Sequence, residues 1–458
     1  MIQPNSSHPE IVINGRFLMQ PITGVQRVAR ELTVALDRLV ADEAFPVTLR
    51  LVCEPEARLD DLDLRATTVE RAASQWSRRI GWRLGGHAWE QLVLPGRVRG
   101  GHLLCLGNTA PFAALHRRAG AQTGVAVMIH DLSYRQFPAA YRLHYRLGHR
   151  FMLPSLLRRA QTIITVSERE KAMLAALRPE ARGRIRVAQN GGWSGAEMDG
   201  TGSGDRGDRG DRGDRAPSLP TQPAPGYMLY VGSLSRRKNI HGVVDVAVRL
   251  AREDGRATLI VGGGSDILAP IAADIPPDVA HLVRFTGPVT ELDALGRLYR
   301  DAGCLLFPSF YEASPLPPIE AMHFGCPVVV SAIPAMTERC GTAALYCDPH
   351  DGNDMLAAVR RALADPAPLA ARGRLHAAHW TWRDQAARVV QAVLDGAMPA
   401  TQEKARQSWD APAGEVPGTG FMMADTGETA QQAPCPRTTD GTVSSRMPRL
   451  SDSDRERA

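Results

Sequence analysis

Two separate sets of short, β-branched apolar runs, each alternating with helix-period stretches, constrain this chain more than any other feature. In the first half the runs are residues 11–13, 47–53, 102–107, 125–130 and 162–167; in the second they are YMLYVG, ATLIVGG, HLVRFTG, CLLFP and PVVVSA. Between them lie stretches such as 26–40, where Val28, Leu32, Leu36 and Leu39 share one face, and helices are predicted near 240–252, 291–300 and 318–324. A continuously apolar strand has both faces buried, and strands separated by helices run parallel. The chain is therefore expected to be α/β, with two doubly wound parallel-sheet domains. Its 458 residues exceed what one ordinary core holds, which agrees with that division.

A break separates the two sets. Residues 191–226 contain GDRGDRGDRGDR followed by APSLPTQPAPG, where aspartates cancel arginines and too little is apolar to fold. The repeat spells RGD, an adhesion signal in secreted ligands, but the start MIQPNSSHPE has neither the basic nor the apolar region of a secretion signal. Cancelled charge and absent aromatics also argue against RNA. The expected partition is residues 1–190 and 227–378 for the two domains, 191–226 for a disordered insert, 379–397 for a helix crossing back to the first domain, and 398–458 for a disordered tail. A formal charge of +5 suits an anionic substrate or a membrane surface without demanding nucleic acid. The seven scattered cysteines, with no CxxC, point to buried, reduced thiols of a cytoplasmic protein rather than disulfides or zinc. No apolar run reaches the roughly 18–20 residues of a membrane span.

Two stretches carry the chemistry. In FPSFYEASPLPPIEAM, residues 307–322, Glu312 falls on the loop leaving a strand's carboxyl end and Glu320 in the first turn of the next helix. That crevice is where open α/β sheets take ligands. A first-turn carboxylate has two roles open to it: favouring the helix dipole, or accepting from a ligand. In VGSLSRRKNI, residues 231–240, a strand exits through Gly232 into Arg236, Arg237 and Lys238 just before a helix. Cations there oppose the helix dipole and make sense with a phosphate between; the alternative is a solvated basic loop.

Together these motifs resemble the retaining glycosyltransferases of family 4, which have the two-domain GT-B fold, and most of all the mannosyltransferase-like enzymes of bacterial surface polysaccharide assembly. NGRFLMQPITGVQR, VMIHDLSYRQFPAAY, TVSERE and HWTWRDQAARVVQAVL resemble further family segments in order and spacing, so the likeness runs from about Ile11 to Leu394. The resemblance implies that the first domain takes a glycan or lipid-diphosphate-linked acceptor and the second a GDP- or UDP-linked sugar, with no metal. It implies that Glu320 accepts the ribose hydroxyls, so that its loss would spare the fold, and that Lys238 and Arg237 neutralise the pyrophosphate. Glu312 would hold a hydroxyl of the transferred sugar and steady positive charge at its anomeric carbon. The Leu316 amide would touch phosphate or sugar, His130 would face the sugar from the first domain, and Gly24, in a flexible loop after the first strand, would admit the donor. By itself His130 is equally a satisfied strand-end histidine.

Some features depart from the family pattern. Ser233 stands where many members have arginine, so Arg236 or Arg237 must supply that charge. EASP replaces the usual EGFG, and Pro315 removes one backbone donor. VGGGSD lacks dinucleotide-fingerprint spacing and is expected to be a turn beside the nucleotide, while Asp61 and Asp63 imitate a metal-binding DxD in a polar loop. Residues 141–160 hold Arg142, Arg146, Arg150, Arg158 and Arg159 with Tyr141, Tyr145 and Phe151 and no acid, which fits either a peripheral membrane contact or a solvated face. A sugar-nucleotide epimerase of the same fold and a non-catalytic nucleotide-sugar-binding module are the rival functions.

Overall fold

A computed structural model describes residues 8–59, 62–73, 86–98, 100–116, 123–138, 141, 143–193, 224–263, 270–289 and 291–397. The Asp-Arg-Gly repeat, the tail from 398 and Asp61 lie outside the described residues. The first sheet comprises β1 (Glu10–Asn14), β2 (Thr48–Cys53), β3 (Thr68–Arg71), β4 (Gly101–Cys105), β5 (Thr123–Ile129), β6 (Thr162–Thr165) and β7 (Ile185–Val187), in the order β3-β2-β1-β4-β5-β6-β7. The second comprises β8 (Met228–Val231), β9 (Thr258–Val261), β10 (Val283–Gly287), β11 (Cys304–Phe307), β12 (Val328–Ser331) and β13 (Leu345–Cys347), in the order β10-β9-β8-β11-β12-β13. The described strand pairs are parallel. Each sheet reverses its strand order once, between β1 and β4 and between β8 and β11, which defines two topological switch points.

Period-2 alternation splits the first sheet's strands between two cores. Ile11, Ile13, Leu104 and Met128 enter one apolar cluster, while Val12, Leu103, Val127 and Ile129 enter another on the opposite face. The first cluster is covered by the helix Gly24–Ala41 and by the helix Trp382–Ala397, whose Trp382, Ala386, Val389 and Val393 are buried in it. The chain's last described helix thus completes the core of the first sheet. Around the second sheet a single cluster gathers residues from strand and helix alike, including Tyr230, Val243, Leu305, Met322 and Val359. Six cysteines, Cys53, Cys105, Cys304, Cys326, Cys340 and Cys347, are buried free thiols.

β3, β7 and β13 have no counterpart among the expected strands. Two of them are three residues long, and TVER of β3 is an exposed, polar edge strand. Its neighbour β2 holds Arg50 between Glu10 and Glu70, at 2.8 Å and 2.7 Å, so charge rather than apolar pattern stitches that edge.

Candidate active site

β8 and β11 flank the second switch point, and the loops leaving them carry the basic and acidic residues singled out above. After β8, Arg236–Lys238 form one 3-10 turn, Asn239 adopts a left-handed conformation (φ 55°), and its side chain caps the helix Ile240–Asp254 at the Gly242 amide, 3.2 Å away. That tight reversal turns Arg237 and Lys238 toward β11, while Arg236 stays exposed. Lys238 Nζ lies 2.5 Å from Glu312 Oε1, and Arg237 Nη1 lies 3.4 Å from the same oxygen and donates to the Tyr311 carbonyl at 2.8 Å. Of the two arginines offered for the charge absent at Ser233, Arg237 is the one that reaches Glu312. Burial drives the Glu312 carboxyl up, but Lys238 and Arg237 outweigh it and hold the group below the usual carboxylate range. Burial lowers the Lys238 ammonium below the usual lysine range; Glu312 raises it, and Arg237 lowers it again. The backbones approach closely here: a Cβ on Gly262 would stand 1.8 Å from the Gly232 carbonyl oxygen, which explains the glycine of the β9 exit.

Glu320 lies in the helix Pro317–His323 and is completely buried. Arg27 Nη2 of the first domain stands 2.6 Å from its Oε1, and the Tyr299 hydroxyl donates to its Oε2 at 2.9 Å. Its partners include protein groups from both domains, which argues against the expectation that its loss would spare the fold. Gly24 is also corrected: it is the first residue of the helix Gly24–Ala41, not part of a loop, because GVQRVARELTVALDRLVA is helical from its start. It is exposed, with open space where a side chain would be, and it begins the helix that aims Arg27 at Glu320. Leu316 precedes the Glu320 helix, and its side chain is buried in the first sheet's core beside Ala313. The loop between Glu312 and Glu320 therefore docks on the other domain; Asn190 Nδ2 donates to its Ser314 carbonyl at 3.0 Å.

From the first domain, His130 directly follows β5 in a buried position. Its ring Nε2 lies 2.8 Å from the Leu106 carbonyl, which must accept from it, and its amide donates to Asn108 Oδ1 at 2.7 Å. Burial depresses the imidazole, leaving it neutral with Nε2 committed to the backbone. The next residue, Asp131, favours the charged forms of Arg237 and Lys238, and the Ser133 hydroxyl donates to it at 2.7 Å. In the region 141–160 the aromatic side chains divide between two faces. The helix spans Leu143–Arg159; Tyr141 stacks on Tyr145 (5.3 Å between centroids) and Tyr145 lies against His149 (4.3 Å), turned inward, whereas Leu143, Leu147 and Phe151 are exposed. Arg142 lies outside the described residues. Asp63 is exposed and pairs with Arg65, and no group of metal-ligating side chains occurs among the described residues.

Several contributors escaped sequence reasoning: Arg27 and Tyr299 around Glu320, and Glu170, Arg169 and Tyr311 around Glu312. Arg27 closes the NGRFLMQPITGVQR segment and Glu170 closes TVSERE, so both stood in quoted motifs; only the fold shows what they reach.

The architecture is GT-B, the arrangement of two facing parallel-sheet domains found in a large class of glycosyltransferases. In fold the chain is similar to sucrose-phosphate synthase from Thermosynechococcus elongatus (TM-score 0.59, 20% identity, covering 88% of this chain and 100% of that one) and to Anabaena Alr3699/HepE in complex with UDP-glucose (TM-score 0.59, 13% identity, 84% and 100%). Residues 225–365 match the family model "Glycosyl transferases group 1". In sequence it is similar to O-antigen chain mannosyltransferase B of Escherichia coli, 33% identical over 36% of this chain and 45% of that protein. It is also similar to O-antigen chain mannosyltransferase RfbU of Salmonella typhimurium, 25% identical over 56% and 66%. The chain spans less than half the length of the first two curated relatives it matches, mannosyltransferase B and a mycobacterial glycogen synthase.

Proposed function

We propose that the protein is a retaining, metal-independent glycosyltransferase of family 4 type that moves a sugar from a nucleotide-sugar donor to a glycan or lipid-linked acceptor in surface or exopolysaccharide synthesis. The observation that carries this reading is the meeting of Lys238 and Arg237 with Glu312 at the second switch point, inside the segment that matches the group 1 model. Mannose is the proposed sugar because sequence relatives are mannosyltransferases; the donor is GDP- or UDP-linked, and a fold relative binds UDP-glucose. A diphosphate beside Lys238 and Arg237 meets two buried cations, which offset the cost of taking its charge out of water.

Transfer then breaks the bond from the anomeric carbon to the phosphate oxygen. The acceptor oxygen attacks from the same face, and the departing phosphate oxygen takes its proton. As positive charge grows on the anomeric carbon, the Glu312 carboxylate stabilises it, because its neighbours keep it ionised. Glu320 takes the ribose hydroxyls in exchange for Arg27, the Leu316 amide meets phosphate or sugar, and His130 helps form the sugar's far wall.

The exposed stripe of Leu143, Leu147 and Phe151, flanked by exposed Arg146 and Arg150, supports a peripheral contact with an anionic membrane surface, on the cytoplasmic side where nucleotide sugars are made. A turnover assay with GDP- and UDP-sugars, with and without a lipid-diphosphate acceptor, tests the whole reading. Product only with acceptor supports a transferase; donor conversion without acceptor means an epimerase; binding without turnover means a sensing module. Thermal shift ranks GDP against UDP, since ligand at a hundred times its Kd adds about 2.7 kcal/mol.

A further inference from the structure

Glu170 is a completely buried carboxylate that the chemistry above does not use. It lies in the first turn of the helix Glu168–Leu177, where Ser167 Oγ accepts from its amide at 3.2 Å. Its Oε1 accepts from the Tyr311 hydroxyl at 2.6 Å, across the domain boundary, and its Oε2 has no hydrogen-bond partner among the described residues. Tyr311 immediately precedes Glu312 and is itself almost fully buried. The Leu132 amide donates to the same hydroxyl at 3.3 Å, so the His130–Asp131 loop grips it too. The neighbouring Arg169 covers the Tyr311 ring, 4.9 Å from its centroid, and donates to the Glu312 carbonyl at 3.4 Å.

We propose that Glu170 is a positioning residue for Glu312, acting through the Tyr311 hydroxyl to fix the 308–316 loop of the second domain against the first. Other ties hold that loop towards its ends, where Ser331 Oγ donates to the Ser309 carbonyl at 2.6 Å and Asn190 Nδ2 to the Ser314 carbonyl at 3.0 Å. Arg237 secures it from within its own domain, through the Tyr311 carbonyl at 2.8 Å and the Phe310 amide at 3.0 Å. Glu170 and Arg169 hold it from the other side. Glu312 is thus clamped between the cations that face phosphate and the domain that receives the acceptor, which gives its carboxylate one position relative to both substrates.

The clamp should be sensitive to protonation. Burial pushes the Glu170 carboxyl up to about 7; Asp131 adds to that, while the Tyr311 hydroxyl, Arg169 and the Leu132 amide act against it. The ionised form accepts the stronger, charge-assisted bond. Turnover should therefore rise with pH through about 7, the region where the clamp gains its charge.

This inference rests on the transferase reading, and its test has a readout that does not. Tyr311→Phe and Glu170→Ala are expected to lower kcat about tenfold or more with donor KM within about twofold, as loss of one charged hydrogen bond predicts. Glu170→Gln keeps an acceptor of the same shape and should recover much of that loss while erasing the pH inflection near 7. Hydrogen exchange at neutral pH should show faster exchange of the 308–316 amides in Tyr311→Phe and Glu170→Ala but not at β11 itself. If the wild type transfers no sugar, the functional reading falls and the exchange data alone decide the positioning. Unchanged exchange, unchanged kcat in Tyr311→Phe, or a pH inflection that survives Glu170→Gln each overturns the proposal.

Discussion

Lys238 Nζ stands 2.5 Å from Glu312 Oε1, and the two residues leave the strands on either side of the second sheet's switch point. Both side chains are largely buried, at 12% and 9% exposure, so each is the other's main compensation. Lys238→Ala leaves Glu312 with Arg237 alone at 3.4 Å and should cost about 3 kcal/mol of stability. It should also lower both turnover and donor affinity, since the leaving phosphate loses a cation. Glu312→Gln keeps size and hydrogen bonding and should lower kcat by more than it raises donor KM. Pairing Lys238→Met with Glu312→Gln should restore most of the stability and none of the turnover. Near-normal kcat in Glu312→Gln with collapsed donor affinity would make Glu312 a binding residue only.

Glu320 is held by Arg27 and Tyr299, so its replacement acts on the fold as well as on the donor. Glu320→Ala strands a guanidinium at the domain boundary, where burial already opposes the charge and Glu320 supports it. A loss of about 3 kcal/mol is expected in urea unfolding, together with weaker nucleotide binding. The double variant Arg27→Met with Glu320→Ala should regain stability without regaining nucleotide affinity. Affinity that returns with the fold would assign Glu320 to domain packing alone.

How much of this was legible depends on sequence distance. Long apolar runs such as TLRLVC and CLLF declare buried strands, and the RRK and E-x7-E loops declare themselves because their residues act close to where they sit in the chain. Three-residue β7 and β13 offer no period to detect. The partners of site residues are set by topology instead: Glu170 and Tyr311 are 141 positions apart, and nothing local marks a glutamate in a helix's first turn as bound for another domain. Tyr145 and Phe151 look alike in a basic aromatic helix, yet their positions on the helix turn one inward and the other out.

Acid should weaken the fold through His149. Burial pushes its imidazole down to about 4, with His87 and Arg16 adding to this and Asp131 opposing it. A depressed base binds fewer protons in the folded state, so stability falls as pH drops from the ordinary histidine value toward 4, by up to about 3 kcal/mol. Glu170, raised to about 7, has the opposite sign: its contribution grows as pH falls from 7 through the ordinary glutamate value. Urea midpoints at pH 7 and pH 5 should show a smaller acid loss in His149→Phe than in wild type, and a larger one in Glu170→Gln. Parallel curves for all three proteins would refute both assignments.

Transfer should persist in excess EDTA. On the proposed reading, Lys238 and Arg237, which pair with Glu312, would supply the positive charge that a divalent ion would otherwise bring to the pyrophosphate. Complete loss of activity, restored by manganese or magnesium, would overturn that role.

The outward stripe of the helix Leu143–Arg159 gives the last prediction. Leu143, Leu147 and Phe151 recur every four residues and are 65%, 45% and 70% exposed, while the same helix buries Met152, Leu153, Leu156 and Leu157. Because the exposed three contribute little to the core, replacing them with serine should leave the melting temperature within a degree or two, as surface changes do. Each side chain entering an interface is worth roughly 1.5–3 kcal/mol, so the triple variant should lose most binding to vesicles containing anionic lipid. Arg146→Gln with Arg150→Gln should weaken binding less, and mainly at low salt, because exposed charge is screened. Wild-type protein that ignores anionic vesicles, or a triple variant that binds them equally well, would leave the stripe without a membrane role. Loss of transfer to a lipid-linked acceptor, with transfer to a soluble analogue intact, would tie the same face to the reaction.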